Sequence, residues 1–180
     1  MENSSYKKTI EPALLYGGII GGVSVLHSII LYTLDASFSV YAQVSGYLMP
    51  IILISVVLYL YRNEYRGGYM TYSQSLGAGS LFMVVAGIIV AVYMFIFLKY
   101  LDPDYIKLVV QMQEEKLIAK GMDEAMIEQS MEFTEKMRSA GAMAVMAFLF
   151  TAFFGVIITL IVSIFLKKEP KDPFAAVEEN

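Results

Sequence analysis

The sequence predicts an all-α fold: a polytopic membrane protein of four transmembrane helices, with an extramembrane helical hairpin between the third and the fourth. Three observations predict it. The 180-residue chain is 57% hydrophobic with a mean hydropathy of +0.60, where soluble domains hold about 45–50% apolar residues. That excess is gathered into four blocks, residues 13–34, 36–61, 67–98 and 139–166, none of which contains Asp, Glu, Lys or Arg. Each block exceeds the roughly 18 apolar residues that mark a membrane-crossing helix. Between the last two blocks the pattern turns charged and helical. A transmembrane β-barrel would show short alternating segments instead of continuous Leu, Ile, Val and Phe.

Composition also removes function classes. The net charge of −4 provides no basic patch for nucleic acid. The absence of Cys excludes disulfides, thiolate metal sites and cysteine nucleophiles. One His and no Trp thin the catalytic options further.

The first span is expected at about 13–34. Lys7 and Lys8 before it and the small residues of "LDAS" (Leu34–Ser37) have the outline of a cleaved signal peptide. An h-region of that kind runs about 7–15 residues, so this longer segment is read as retained. Gly17, Gly18, Gly21 and Gly22 form two overlapping G-x-x-x-G pairs, the spacing that lets helices approach closely in lipid. His27 is the one ionisable residue within the spans. A proton path normally uses several such groups, so a packed or interfacial His is favoured. "GGIIGGVS" has no preceding strand and no following Lys-Ser/Thr, so it is no phosphate loop.

The second span is expected at about 40–61, with Pro50 kinking it and its freed carbonyl satisfied by a neighbouring Ser or Thr. "YRNEYRGGYMTYSQSLGAG" (Tyr61–Gly79) then concentrates polar and aromatic residues. Arg62 and Arg66 read as anchors beside an anionic leaflet. Tyr59, Tyr61, Tyr65, Tyr69 and Tyr72 suit the headgroup layer, and Gly67–Gly68 lets the chain reverse. An interfacial connector is favoured over a binding loop.

The third span is expected at about 76–98 and the fourth at about 141–166. Ser75–Gly79, Gly87–Ala91 and Thr151–Gly155 repeat the small-residue spacing. Packing of the four helices against one another is favoured over a homodimer face.

The insert, about 102–138, is expected to form two amphipathic helices. Asp102 is placed as an N-cap with Pro103 at the first helical position. Gly121 is placed to end that helix and Asp123 to cap the next, with Met122 and Ile127 at staple positions. Tyr105, Leu108, Val109, Met112 and Ala119 are expected to form the apolar stripe of the first helix. Met122, Met126, Phe133 and Met137 are expected to form that of the second, opposite Glu124, Glu128, Glu132 and Glu135. Met112, Met122, Met126, Met131 and Met137 offer soft ligands for Cu(I). Met131 points to the acidic side on this reading, and Met is an ordinary gap-filler, so packing is favoured. The acidic stripe suits cations or a basic partner, with a solvated face as the default.

Basic residues mark the cytoplasmic side of short loops. Lys7, Lys8, Arg62, Arg66, Lys167, Lys168 and Lys171 put both termini and the second loop inside. The third connection, residues 99–138, holds six basic and nine acidic residues and falls outside. The tail, 169–180, is expected to be a disordered cytoplasmic segment.

"YRNEYRGGYMTYSQSLGAG", an apolar span, "KYLDPDYIK", a charged helical insert, a last span and "FLKKE" together resemble the domain of unknown function 4199 family. The likeness runs from about Leu14 to Lys168, with Gly68–Gly77 and Asp102–Tyr105 its most specific parts. It implies a four-helix inner-membrane protein of Bacteroidota-type bacteria and carries over no catalytic residue. No H-E-x-x-H, G-x-S-x-G or Walker-type pattern appears, and the Asp102/Asp104 pair reads as a helix start. The expectation is a non-enzymatic structural or partner-binding protein, residues 1–168 forming one integral domain of the inner membrane. No catalytic, cofactor-binding or metal residues are assigned. The expected partners are the lipid bilayer and a homo-oligomer or another membrane protein, not nucleic acid. The alternative is a subunit of a small oligomeric transporter or channel.

Overall fold

In the computed structural model of the chain, residues 2–136 and 138–169 are described, and side chains from Ile10 onward apart from those of 133, 135 and 136. The expectations for Phe133, Glu135, Met137 and the tail beyond Glu169 lie outside the described residues, as do those for the Lys7 and Lys8 side chains.

The chain is all-α. The described helices are α1 (Glu2–Thr33), α2 (Val40–Tyr65), α3 (Tyr72–Ile96), α4 (Tyr105–Ala119), α5 (Glu124–Lys136) and α6 (Ala140–Leu166). Among the described residues four stretches are long and apolar enough to cross a membrane: Ile10–Thr33, Val40–Tyr65, Tyr72–Leu101 and Ala140–Leu166. The extramembrane pair α4–α5 interrupts the run, so the protein is a multi-pass membrane protein with a helical hairpin between its third and fourth spans.

Local chemistry sets the ends of these helices. α1 closes in a Schellman motif: Ala36 N–H donates to Leu31 O (2.8 Å) and Asp35 N–H to Tyr32 O (3.1 Å). Asp35 sits at the left-handed position, φ 52°, a conformation that Asp tolerates better than most residues. Ser39, Thr71 and Ser139 cap α2, α3 and α6 by accepting from Ala42, Gln74 and Ala142 N–H. Thr71 and Gln74 complete a capping box, which starts α3 four residues before the position expected from hydropathy. α4 ends in a second Schellman motif, Met122 N–H to Leu117 O (3.3 Å) and Gly121 N–H to Ile118 O (2.9 Å), with Gly121 at φ 70°. Asp123 Oδ1 accepts from Met126 N–H (3.1 Å), the cap expected for α5.

α3 is the centre of the bundle and packs α1 along one side and α6 along the other. Small residues permit both approaches. A Cβ on Gly17 would lie 2.6 Å from Val85 Cβ, and one on Gly21 would lie 2.9 Å from Ile89 Cβ. On the other side, Gly79 abuts Thr159, and a Cβ on Gly155 would lie 2.5 Å from Met83 Cε. Gly18 and Gly22, the second pair on α1, meet nothing within 4 Å. The two overlapping pairs therefore differ in use, and only the first packs the bundle.

α2 is fastened at one end. Its buried residues, Ile54, Val57, Leu58 and Tyr61, all fall after Pro50 and join Tyr16, Ile20, Phe82, Met83 and Val162 in the main core. Before Pro50 the helix is largely exposed. The α2–α3 loop reverses through Gly67 and Gly68, both at positive φ. It pairs with the end of α6 through an antiparallel bridge, in which Met70 and Lys168 exchange N–H···O bonds of 2.8 Å.

Four expectations need correction. Tyr61 is buried, 6% exposed, and meets Tyr16, Tyr65 and Phe82 edge-on or stacked, so its ring packs in the bundle core instead of facing lipid headgroups from the helix surface. Pro103 precedes α4, which starts at Tyr105. The inward face of α5 carries Ile127, Ser130, Met131 and Thr134, while Met126 is exposed. That face is set by docking on α4, where Gln113 Nε2 donates to Thr134 Oγ1 (3.4 Å). On α4 itself, Ile106 and Val110 turn inward in place of Leu108 and Ala119.

Candidate functional site

At the hairpin end, α3 widens into a π-helical turn, Phe97–Leu101, closed by Asp102 N–H to Phe97 O (2.9 Å). The extra residue in this turn carries the chain outward to Asp102. Its carboxylate does two things. Oδ1 accepts from Tyr105 N–H (3.0 Å) and starts α4. Oδ2 accepts from the Tyr32 hydroxyl of α1 (2.9 Å). Rings close around this link: Tyr32 meets Phe97 edge-on at 4.9 Å, Phe97 meets Tyr105 at 5.2 Å, and Phe38 stacks on Tyr105 at 5.7 Å. The hairpin is thereby seated on α1, α3 and the α1–α2 loop.

Beneath the seated hairpin lies a cleft of about 480 Å³ between α4, α5 and the first turns of α6. Ile106, Val110, Met143, Ala147 and Phe150 make its apolar wall, and Gln113, Thr134 and Arg138 lie at its hairpin end. The outer surface of the hairpin is acidic, with Glu114, Glu115, Glu124 and Glu128 exposed. Lys107 Nζ donates to Asp104 Oδ1 at 2.7 Å. That bond and the ammonium charge hold the Asp104 carboxyl below its ordinary pKa.

A second cavity, about 280 Å³, lies within the bundle where α2 stands away from its neighbours, lined among others by Ser24, His27, Pro50, Phe150 and Thr151. Phe150 and Thr151 line both cavities, so the two adjoin. His27 Nε2 lies 2.9 Å from Ser45 Oγ on α2. Ser45 Oγ also lies 2.7 Å from Tyr41 O. The His27 contact with a neighbouring helix fits the packed His favoured from the sequence.

At the opposite end, buried polar groups are paired. Tyr16 donates to Glu64 Oε2 (2.6 Å) and Ser163 to Ser75 (2.9 Å). Arg62 Nη1 donates to Leu166 O (3.0 Å), which caps the last carbonyls of α6 with a cation where the helix dipole favours one.

Of the methionines considered as copper ligands, Met112, Met122 and Met131 are half-buried and Met126 is exposed. None of these four lines the cleft. Among the described residues no group of three His, Cys, Asp or Glu gathers as a metal site. Sequence reasoning found Asp102 as a cap but missed Tyr32 as its partner. An isolated Tyr near the end of an apolar span carries no periodic signal. The cleft was missed for the same reason, because its walls come from three elements.

The model of one protein family, described as "Protein of unknown function (DUF4199)", matches residues 15–168. No curated protein and no solved structure matches the chain.

Proposed function

Since the chain belongs to the DUF4199 family of proteins of unknown function, its role has to be argued from its own geometry, and we propose that it is a non-enzymatic structural or partner-binding component of the bacterial inner membrane. Both termini are cytoplasmic and the hairpin is outside on this reading, following the basic residues of the short connections. The observation that carries it is the Tyr32–Asp102 bond within its ring of aromatics. A hairpin held this way presents a fixed acidic face instead of a tethered, wandering one, which lowers the ordering cost of an encounter. A photo-crosslinking residue in place of Met126 or Glu128, both exposed, tests this in intact cells. Discrete adducts with a membrane protein or a second copy are expected. Absence of any adduct from both positions overturns the proposal.

A second reading, a subunit of an oligomeric transporter or channel, is favoured by one specific observation. The cavity around His27 adjoins the cleft at the hairpin end through Phe150 and Thr151. Reconstitution into liposomes tests it: ion or solute flux that falls on His27→Leu supports this reading, and silence across a broad solute panel removes it.

A further inference from the structure

We propose that the cavity within the bundle, between α1, α2 and α6, seats a neutral, lipid-soluble ring compound bearing carbonyl oxygens, of the quinone class. Its volume, about 280 Å³, lies just under the range of about 300–1,000 Å³ typical of small-molecule sites. An apolar cavity of about 150 Å³ takes up one benzene ring, so a fused pair of rings matches this one. Among the described residues of its wall there is no Asp, Glu, Lys or Arg. A charged ligand would stay unpaired there at membrane depth, where charge is costly, so the wall selects an uncharged one.

Three further features select a flat ring with a hydrogen-bonding edge. Tyr47, Phe150 and Phe154 contribute aromatic faces to the wall. Phe150 and Phe154 lie together with ring centroids 4.2 Å apart, a surface against which a flat ring packs well. The same three residues are 73%, 61% and 44% exposed and belong to membrane-crossing helices. The cavity therefore opens onto hydrocarbon, and a lipid-soluble compound enters it sideways without crossing water. The polar groups of the wall, finally, are incompletely used. Ser24 folds back on Ile20 O (2.7 Å), and His27 Nε2 meets Ser45. Among the described residues none hydrogen-bonds to His27 Nδ1 or to the Thr151 hydroxyl. A hydroxyl without an acceptor is costly away from water, and a ligand carbonyl supplies that acceptor. The proposal is independent of both readings above, since it needs neither a protein partner nor flux.

The test uses the full chain in detergent and equilibrium dialysis against empty micelles. The probes are menadione and methylnaphthalene, the same fused rings with and without carbonyls, each corrected for its partition into micelles. The chain has no cysteine to react with the quinone. Menadione is expected to bind once per chain, about three- to tenfold more tightly than the hydrocarbon, as one net hydrogen bond would give. Thr151→Val keeps the shape of the side chain and is expected to remove most of that preference. Combining it with His27→Phe is expected to remove all of it. A Cβ on Gly46 meets nothing within 4 Å, so Gly46→Phe has room to fill the cavity and is expected to abolish binding of both rings. Should that variant unfold by circular dichroism, Ser24→Leu supplies the same readout from α1. Equal binding of the two rings, a preference that survives the double change, or binding that survives the filling substitutions overturns the proposal. Displacement of menadione by an equal concentration of decanol would assign the cavity to a linear aliphatic chain and overturn it as well.

Discussion

Tyr32 and Asp102 lie 70 positions apart in sequence and meet at 2.9 Å. A hydrogen bond to a charged group contributes more than a neutral one, and exposure at this end reduces it, so Tyr32→Phe is expected to loosen the hairpin less than loss of the Asp102 carboxylate does. Asp102→Ala also strips the Tyr105 N–H of its cap and is expected to cost about 2 kcal/mol. Hydrogen exchange of α4 checks both, with faster exchange there and an unchanged bundle core. Ser75 and Ser163 make the complementary case deep in the bundle, both fully buried and bonded to each other. Interhelical hydrogen bonds in lipid average about 0.6 kcal/mol and reach about 1.7. Either single Ser→Ala change is expected to destabilise by about 1 kcal/mol, because it leaves one hydroxyl without its partner. The double change should cost less than the sum. A double-mutant cycle by unfolding in mixed micelles measures that coupling, and strict additivity would mean that the pair contributes nothing.

At the scale of elements, the glycine pairs of α1 give the sharpest contrast. Gly21 faces Ile89 at closest approach, while Gly22 faces open space. Gly21→Leu is expected to lower bundle stability by about 1–3 kcal/mol through overpacking, and Gly22→Leu to leave the thermal midpoint of the monomer nearly unchanged. Sequence alone identified the motif but not which of the two registers packs, because overlapping pairs one residue apart have the same spacing. The spans themselves were legible, since an uncharged apolar run of that length has few other fates in water or lipid. So were the capping residues Gly121 and Asp123, whose chemistry is local. The face of α5 was not legible. Met126 is apolar by type yet exposed, and among the described side chains the helix docks through Ile127, Met131 and Thr134. The contact is selected by α4, which periodicity within α5 cannot report. Tyr61 misled in the same manner: an amphipathic ring near a span end suits the headgroup layer, but the rings of Tyr16 and Phe82 offered it a packed site.

For the whole molecule, one arrangement explains both ends. α3 holds α1 and α6 through small-residue contacts, α2 joins after Pro50, and the loop bearing Arg62 and Gly67–Gly68 is stitched to the end of α6 at Met70 and Lys168. The hairpin caps the other end through Asp102. Up-and-down spans of this kind separate the α2–α3 loop from the hairpin by the full thickness of a bilayer, about 30 Å of hydrocarbon. The chain contains no cysteine, so the separation can be read with single introduced thiols. Tyr65→Cys and Lys120→Cys, both at exposed positions, are to be labelled with a membrane-impermeant maleimide in sealed right-side-out cells and in inverted vesicles. The account predicts labelling of the two positions from opposite sides, Lys120→Cys in cells and Tyr65→Cys in inverted vesicles. Labelling of both from the same side would contradict it.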